Sequence, residues 1–317
     1  MSDRPHRVVV AEPIAPTAVK WLRERVHVDE VDARSAPDAL ASLLERAHAL
    51  VVRTYTRVDA ALLASAPLLR VVGRAGVGID NIDQSACAAR RVQVVHTPGA
   101  NADAVAEYVI ALMLDALRPR PDVAGALSRA AWSDLRADSV AARELNERVV
   151  GVLGLGAVGS RVARLCNAFG CKTLYHDLRV IPTEQRYGAA PTTFARLLSA
   201  ADVLTVHVDN RPGNRMLLDA CALSALKPDA LLINTSRGFV VDEQALAALL
   251  RARPEMRAAL DVHEVEPVSP TSPLLELPNA RLLPHIGAAT KRAHLRMSQQ
   301  AVEKVWRALQ QPASDGG

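Results

Sequence analysis

An arginine, a glutamate and a histidine stand in three separate segments of the C-terminal half. They are Arg237 in Asn234-Thr235-Ser236-Arg237-Gly238, Glu266 in Asp261-Val262-His263-Glu264-Val265-Glu266-Pro267, and His285 in Pro284-His285-Ile286-Gly287-Ala288. Gathered in one place, such a trio can do acid–base chemistry on an anionic carbonyl compound. Upstream lies Gly154-Leu155-Gly156-Ala157-Val158-Gly159, a glycine pattern suited to a pyrophosphate.

A bare GxGxxG arises often by chance, so its context decides. Here an apolar strand, Val149 to Leu153, leads directly into it. A helical pattern follows, with Val162, Leu165, Cys166 and Phe169 on one face and Gly170 as its stop. The next strand ends at Asp177, 18 residues after Gly159. Gly154 permits the tight turn, Gly156 lets the backbone approach phosphates, and Gly159 lets helix and sheet pack closely. The helix N-terminus adds amides and partial positive charge. Asp177 can accept the ribose hydroxyls and repels a 2′-phosphate, which favours NAD over NADP, while Arg179 leaves some NADP use open.

The elements that must position these residues alternate in type. Strands are expected over 7–11, 26–31, 49–53, 69–74 and 92–96, with helices over 15–25 and from Pro37, Asp59 and Ile82. After Thr97-Pro98-Gly99 comes a long apolar helix over 101–117, with Asn101 as its N-cap and Pro119 and Pro121 as its stop. Residues 118–147 carry no strand pattern. A second series has strands near 149–153, 172–176, 203–208, 231–234, 258–262 and 281–283. An amphipathic helix over 290–309 closes it, with Leu295, Val302, Trp306 and Leu309 near one face, before a fraying Pro-Ala-Ser-Asp-Gly-Gly tail. Such alternation implies two doubly wound α/β units with parallel sheets. The three chemical segments fall at strand ends, and ligands of such sheets bind outside the carboxyl ends.

The bulk properties agree. At 317 residues, two domains are expected. Half the chain is hydrophobic and 23% charged, which excludes a disordered chain; aromatics are only 3%, so Leu, Val, Ile and Ala must fill the core. The 38 basic residues against 34 acidic ones are scattered, which suits anionic pockets and argues against nucleic acid as partner. Cys87, Cys166, Cys171 and Cys221 lack metal or CxxC spacing and read as free thiols; no metal site is expected. No signal peptide or membrane-length apolar run is visible, so a cytoplasmic location away from membranes is expected.

Taken with Arg74-Ala75-Gly76-Val77-Gly78-Ile79-Asp80-Asn81, these motifs occur in an order that resembles the NAD-dependent D-isomer-specific 2-hydroxyacid dehydrogenases over nearly the whole chain. The likeness is nearest to the phosphoglycerate dehydrogenase branch, in a short form without a C-terminal regulatory domain. It implies a flavodoxin-like substrate domain, discontinuous over 1–98 and 288–317, and an inserted Rossmann NAD-binding domain over 99–287. The active site would be a cleft between them, closing by hinge motion. It implies that Arg237 clamps the substrate carboxylate and polarises its 2-oxygen. His285 would be the general acid or base, and Glu266 would hold His285 in one tautomer and stabilise its cation. Asp261 would bind the carboxamide. Ala157, Val158, His207, Thr235, Ser236 and Gly287 would line the dinucleotide with the glycine loop and Asp177. Gly76, Val77 and Asn101 would join Arg53 and Arg74 at the substrate. A histidine such as His207 or His263 is nonetheless more often structural, and Glu264 reads as solvated. The likeness further implies a homodimer, with Val105, Val109, Leu112, Met113 and Ala116 as surplus apolar surface.

Some residues depart from that pattern. Val77 stands where the branch usually has Thr, Val208 to Pro212 replaces a Pro and a small residue, His263 replaces an aromatic, and 130–144 is longer. The leading substrate pair is 3-phosphoglycerate and 3-phosphohydroxypyruvate. Arg53 and Arg74 both end strands of the first domain, which suits a second anionic group once Arg237 holds the carboxylate. Alternatives are hydroxypyruvate or glyoxylate reduction, and reduction of another phosphorylated or phosphonylated 2-oxo acid. From another class, the alternative is an NAD-sensing corepressor. Formate oxidation fits poorly, because that branch has Gln where Glu266 stands.

Overall fold

The computed structural model describes residues 6–118, 120–141 and 143–311. The expectations resting on Met1 to Pro5, on Pro119 as a helix stop and on the 312–317 tail lie outside the described residues. The chain divides into two compact units, residues 1–101 with 288–317, and residues 102–287.

Unit one alternates β1 (Arg7–Val10), α1 (Pro16–Arg23), β2 (His27–Glu30), α2 (Pro37–Leu44), β3 (Ala49–Val52), α3 (Ala60–Ala64), β4 (Val71–Arg74), α4 (Gln84–Ala89) and β5 (Gln93–Val95). Its five strands are all parallel, in the order β2-β1-β3-β4-β5, the flavodoxin-like arrangement. Alternate side chains serve opposite faces. Val8, Val10, Val51 and Val71 pack with α1, while Val9, Leu50, Val52 and Val72 pack with α2 and α4. Burial on both faces explains the unbroken Val/Leu runs of the central strands.

Unit two begins with α5 (Ala102–Leu117) and α6 (Arg129–Asp138). It continues through β6 (Val149–Leu153), α7 (Ala157–Ala168), β7 (Lys172–His176), β8 (Ala190–Pro191), α8 (Phe194–Ala200) and β9 (Val203–Val206). Then come α9 (Ala220–Ser224), β10 (Leu231–Asn234), α10 (Glu243–Ala252), β11 (Arg257–Leu260) and β12 (Ala280–Leu282). The seven strands are parallel in the order β12-β11-β10-β9-β6-β7-β8, so the winding reverses at β6. That switch point is where doubly wound sheets bind ligands. The closing helix, α11 (Lys291–Leu309), packs on α1 and on β3, β4 and β5 of unit one.

Three local expectations need correction. Leu295 is 45% exposed, while α11 buries the expected Val302 and Leu309 together with Ala293, Met297, Ala301, Val305 and Ala308. Gly73 of β4 makes room for the helix, since a Cβ there would meet Val305 Cγ2 at 2.3 Å. Phe169 is 45% exposed because it caps α7 rather than continuing it; Gly170 at φ 79° turns the chain away. The apolar residues of α5 are not surplus surface: Val105, Val109, Leu112 and Met113 are buried, and α5 packs on α7, β10 and β11. All four cysteines are free thiols, and Cys221 alone among them is exposed.

Candidate active site

Each glycine of the loop after β6 has a distinct geometric duty. Gly154 adopts φ 90°, and a Cβ there would meet the His207 carbonyl oxygen at 2.6 Å. A Cβ on Gly159 would meet the Gly154 oxygen at 2.0 Å, so helix α7 and its strand touch backbone to backbone. Around Gly156, the N-cap of α7, nothing lies within 4 Å of the added Cβ position. Open space above a helix N-terminus, with the amides of Ala157 and Val158 in the first turn, is the cradle a pyrophosphate requires. On the rim, Thr235 Oγ1 is buried without a hydrogen-bond partner, as suits a wall awaiting a polar ligand. The residues present therefore fit NAD(H).

Two other rim residues are engaged. His207 is hydrogen-bonded through Nε2 to Thr205 Oγ1 at 2.8 Å, and burial pushes its pKa down to about 3. Its neutral ring is a strut, and its carbonyl shapes the turn at Gly154. Asp177 accepts from the Leu155 amide at 2.8 Å and from Arg179 at 2.9–3.0 Å. Burial alone would raise the Asp177 pKa, but the Arg179 and backbone hydrogen bonds outweigh it and hold the carboxyl below its ordinary value.

At the ends of β10, β11 and β12 the structure brings Arg237, Glu266 and His285 together. Asn234, the last residue of β10, builds the first of these loops: its Oδ1 accepts from Ser236 N at 3.0 Å and its Nδ2 donates to the Arg237 carbonyl at 2.8 Å. Ser236 Oγ accepts from Arg237 N, and Arg237 Nη1 donates to the Ser236 carbonyl at 2.7 Å. Ser236 thus orients the arginine. Next to it, a Cβ on Gly238 would fall 1.9 Å from the His263 carbonyl carbon, so only glycine lets the β10 and β11 loops meet. His263 is buried, and its Nε2 donates to the Leu283 carbonyl at 2.9 Å, a structural role. Glu264 is exposed and ion-paired to Arg215 at 2.7 Å.

Glu266 Oε1 accepts from His263 N at 3.1 Å, and Oε2 accepts from His285 Nδ1 at 2.9 Å. The bond through Nδ1 leaves Nε2 as the working atom of His285. That bond raises the His285 pKa; desolvation and Arg237 act against it, while the charges of Glu266 and Asp261 add to it. Burial pushes the Glu266 carboxyl up, but the His285 bond, the charge of His285 and the His263 amide together outweigh it, and its pKa falls. His285 also sits at φ 55°, a left-handed backbone for a non-glycine residue. Asp261, 1% exposed, holds it there: Oδ1 accepts from Ile286 N at 2.9 Å and Oδ2 from Gly287 N at 2.8 Å. Tyr108 donates to the same carboxylate at 3.3 Å, and burial beside Asp261 pushes the phenol up to about 12. In this structure Asp261 is chiefly the anchor of the histidine loop, and a Cβ on Gly287 would crowd it at 3.0 Å.

Unit one presents its own residues. Arg74 ends β4, and its guanidinium folds over Gly76 so closely that an added Cβ would strike Nη1 at 2.0 Å. Arg53 follows β3 in a turn organised by Glu12, which is 2% exposed and accepts from the amides of Arg53, Thr54, Tyr55 and Thr56 at 2.6–3.3 Å. His294 on α11 lies near Arg53, and burial followed by that charge lowers its pKa. Val77 is half-buried and its carbonyl accepts from His96 Nδ1 at 2.8 Å, while Asn101 stands just before α5. Glu12, Tyr108 and His294 escaped the sequence reading, and Asn234 and Gly238 stood in the arginine segment without a role assigned to them. A buried acid at a strand end marked Glu12, but the amides that it serves lie some forty residues onward.

A model of the D-isomer specific 2-hydroxyacid dehydrogenase NAD binding domain matches residues 110–287. D-3-phosphoglycerate dehydrogenase of Archaeoglobus fulgidus is 36% identical over 94% of this chain and 56% of its own. Glyoxylate reductase of Aeropyrum pernix is 35% identical over 94% of this chain and 91% of its own. The chain belongs to the D-isomer specific 2-hydroxyacid dehydrogenase family. Among solved members, an NADPH-dependent glyoxylate/hydroxypyruvate reductase of Sinorhizobium meliloti superposes with a TM-score of 0.80 at 30% identity, covering 97% of this chain and 94% of its own. The chain spans about half the length of the phosphoglycerate dehydrogenases that it matches. As a family member it carries an NAD-binding unit, and its two parallel-sheet domains are the family's fold. Among the described residues no helix is long and apolar enough to cross a membrane, and no cluster of metal-ligating side chains occurs.

Proposed function

We propose that this protein is an oxidoreductase that reduces a small 2-oxo acid to a D-2-hydroxy acid, and reverses that reaction, with NAD(H). The observation that carries the reading is the 2.9 Å His285–Glu266 bond beside Arg237. Arg237 holds the substrate carboxylate and polarises the 2-oxygen. NAD(H), held by Gly154, Gly156, Ala157, Val158, Gly159 and Thr235, supplies or takes the hydride when bound. His285 gives its Nε2 proton to the developing alkoxide in reduction and takes it back in oxidation. Glu266 orients the ring throughout and favours its protonated form.

The sign of the pH dependence follows. Reduction needs protonated His285, so kcat/KM for the 2-oxo acid falls as pH rises through the raised pKa, and oxidation shows the opposite limb. Glu266→Gln removes the negative partner, so the falling limb for reduction should move to lower pH by about one unit. A pH–rate profile checks this.

For the substrate we favour 3-phosphohydroxypyruvate, with 3-phosphoglycerate in reverse. Arg53 and Arg74 supply two further guanidinium groups suited to a phosphate. Arg53→Ala and Arg74→Ala should each raise KM for the phosphorylated acid by about 10- to 100-fold while NADH affinity holds. The deciding experiment compares kcat/KM for 3-phosphohydroxypyruvate, hydroxypyruvate and glyoxylate. Glyoxylate turned over as efficiently as the phosphorylated acid would establish the reductase alternative.

A homodimer completes the proposal. Helix α6 buries no residue, and Trp132, Leu127 and Val123 along its arm are 43–50% exposed. A second copy is the occupant that family membership favours, and C2 pairing is the commonest closed arrangement. Sedimentation at micromolar concentration should give twice the 34.0 kDa chain mass, and Trp132→Glu should shift that mass towards the monomer.

A further inference from the structure

We propose that Cys166 and Cys171 form a reversible oxidation site, in which hydrogen peroxide joins the two thiols as a disulfide across the end of α7. The backbone brings them together. Helix α7 closes in a Schellman turn, with Gly170 at φ 79°. Cys171 N donates to the Cys166 carbonyl at 3.0 Å, and Gly170 N donates to the Asn167 carbonyl at 2.9 Å. Such a turn lays the second residue beyond the helix onto the last helical turn, where an apolar contact usually fills the space. Here both positions are cysteine, and the two thiols are hydrogen-bonded to each other. Cys171 in turn donates to the Leu145 carbonyl at 3.5 Å, so the Cys166 S–H is the donor to the Cys171 sulfur.

The two sulfurs are chemically unequal. Cys166 is 0% exposed, whereas Cys171 is 7% exposed at the edge of the core. The Cys166 hydrogen bond favours the Cys171 thiolate and, against burial, holds that thiol below its ordinary pKa. The same bond, followed by burial, pushes Cys166 up. Cys171 is therefore the attacking thiol. Its sulfur takes one peroxide oxygen as the O–O bond breaks, giving a sulfenic acid and water. The Cys166 sulfur then attacks the sulfenic sulfur. An S–S bond forms, the S–O bond breaks, and the hydroxyl leaves as water with the Cys166 proton. The thiol pair loses two electrons, and one peroxide becomes two waters. Because the resolving sulfur is already in contact, crosslinking outruns oxidation of Cys171 to the irreversible sulfinic acid. Cys87 on α4 and Cys221 on α9 stand on other elements, and desolvation raises the Cys87 pKa. The pair lies at the opposite end of α7 from the glycine loop, roughly 18 Å along the helix axis, so the crosslink leaves the phosphate cradle intact.

The test treats the full chain carrying Cys221→Ser with hydrogen peroxide, alkylates the remaining thiols and digests with trypsin. Residues 165–172 form one tryptic peptide that contains both cysteines. That peptide should lose the mass of two hydrogens, escape alkylation and return to the dithiol form with dithiothreitol, while circular dichroism stays native. Adding Cys166→Ser removes the resolving sulfur, so dimedone should then trap a sulfenic acid at Cys171. A peptide recovered doubly alkylated, at a peroxide dose that oxidises the exposed Cys221 of the wild-type chain, overturns the proposal. A sulfinic acid at Cys171 in place of the crosslink also overturns it. So does a crosslink that appears only as native circular dichroism is lost, because it then belongs to the unfolded chain.

Discussion

Replacing His285 by alanine should lower kcat for 2-oxo acid reduction by about 10²- to 10⁴-fold, the usual weight of a positioned general acid. The imidazole is held through Nδ1 by Glu266 at 2.9 Å, and the Asp261 carboxylate fixes the following amides at 2.8–2.9 Å. Residue 285 sits at φ 55°, a left-handed backbone that histidine and asparagine adopt more readily than alanine. His285→Asn separates the two effects, since asparagine tolerates the left-handed region. Equal kcat losses for the two variants assign the effect to the missing proton carrier. Recovery with asparagine would assign it to the backbone.

Gly238→Ala should be the most damaging small substitution in unit two. Its Cβ would lie 1.9 Å from the His263 carbonyl carbon, 2.0 Å from that oxygen and 2.3 Å from Glu264 N. Backbone atoms cannot swing aside as a flexible side chain can, so the loops after β10 and β11 must separate. Arg237 moves with the first loop, and Glu266, bonded to His263 N at 3.1 Å, moves with the second. Stability should fall by about 3 kcal/mol or more, a Tm loss of roughly 5–10 °C, and kcat should collapse. Gly156→Ala provides the contrast. Nothing stands within 4 Å of its Cβ position, so Tm should hold while the new methyl group obstructs the pyrophosphate. Thermal unfolding with NADH titration distinguishes the two glycines.

The alternation of short Val/Leu strands with helices was legible because parallel sheets covered on both faces need continuous apolar strands. Less legible were features that depend on how closely elements approach. Leu295 has the right spacing for a buried face, yet α11 turns Ala301, Val302 and Val305 inward, and Gly73 leaves the room that Val305 fills. Helix α6 buries nothing, so no apolar periodicity announced it. The two residues of β8 include Pro191 and are too short for a pattern. In the site, Arg237, Glu266 and His285 were readable from their motifs. The partners of Asp261 were not. Family likeness pointed Asp261 towards the nicotinamide carboxamide and gave no sign that its carboxylate also anchors Ile286, Gly287 and Tyr108. Glu12 was hidden for a similar reason, since the four amides around it come from another strand end.

The central claim is hydride transfer to the 2-carbon of a 2-oxo acid, with His285 as proton donor. Its most direct test mixes the full chain with NADH and 3-phosphohydroxypyruvate, hydroxypyruvate or glyoxylate, follows nucleotide absorbance, and determines the configuration of chiral products. The account predicts stoichiometric NADH oxidation with formation of the D-2-hydroxy acid, slowed about 10²- to 10⁴-fold in His285→Asn. A protein that binds NADH but oxidises none of it with any 2-oxo acid, or that yields the L-isomer, would contradict it.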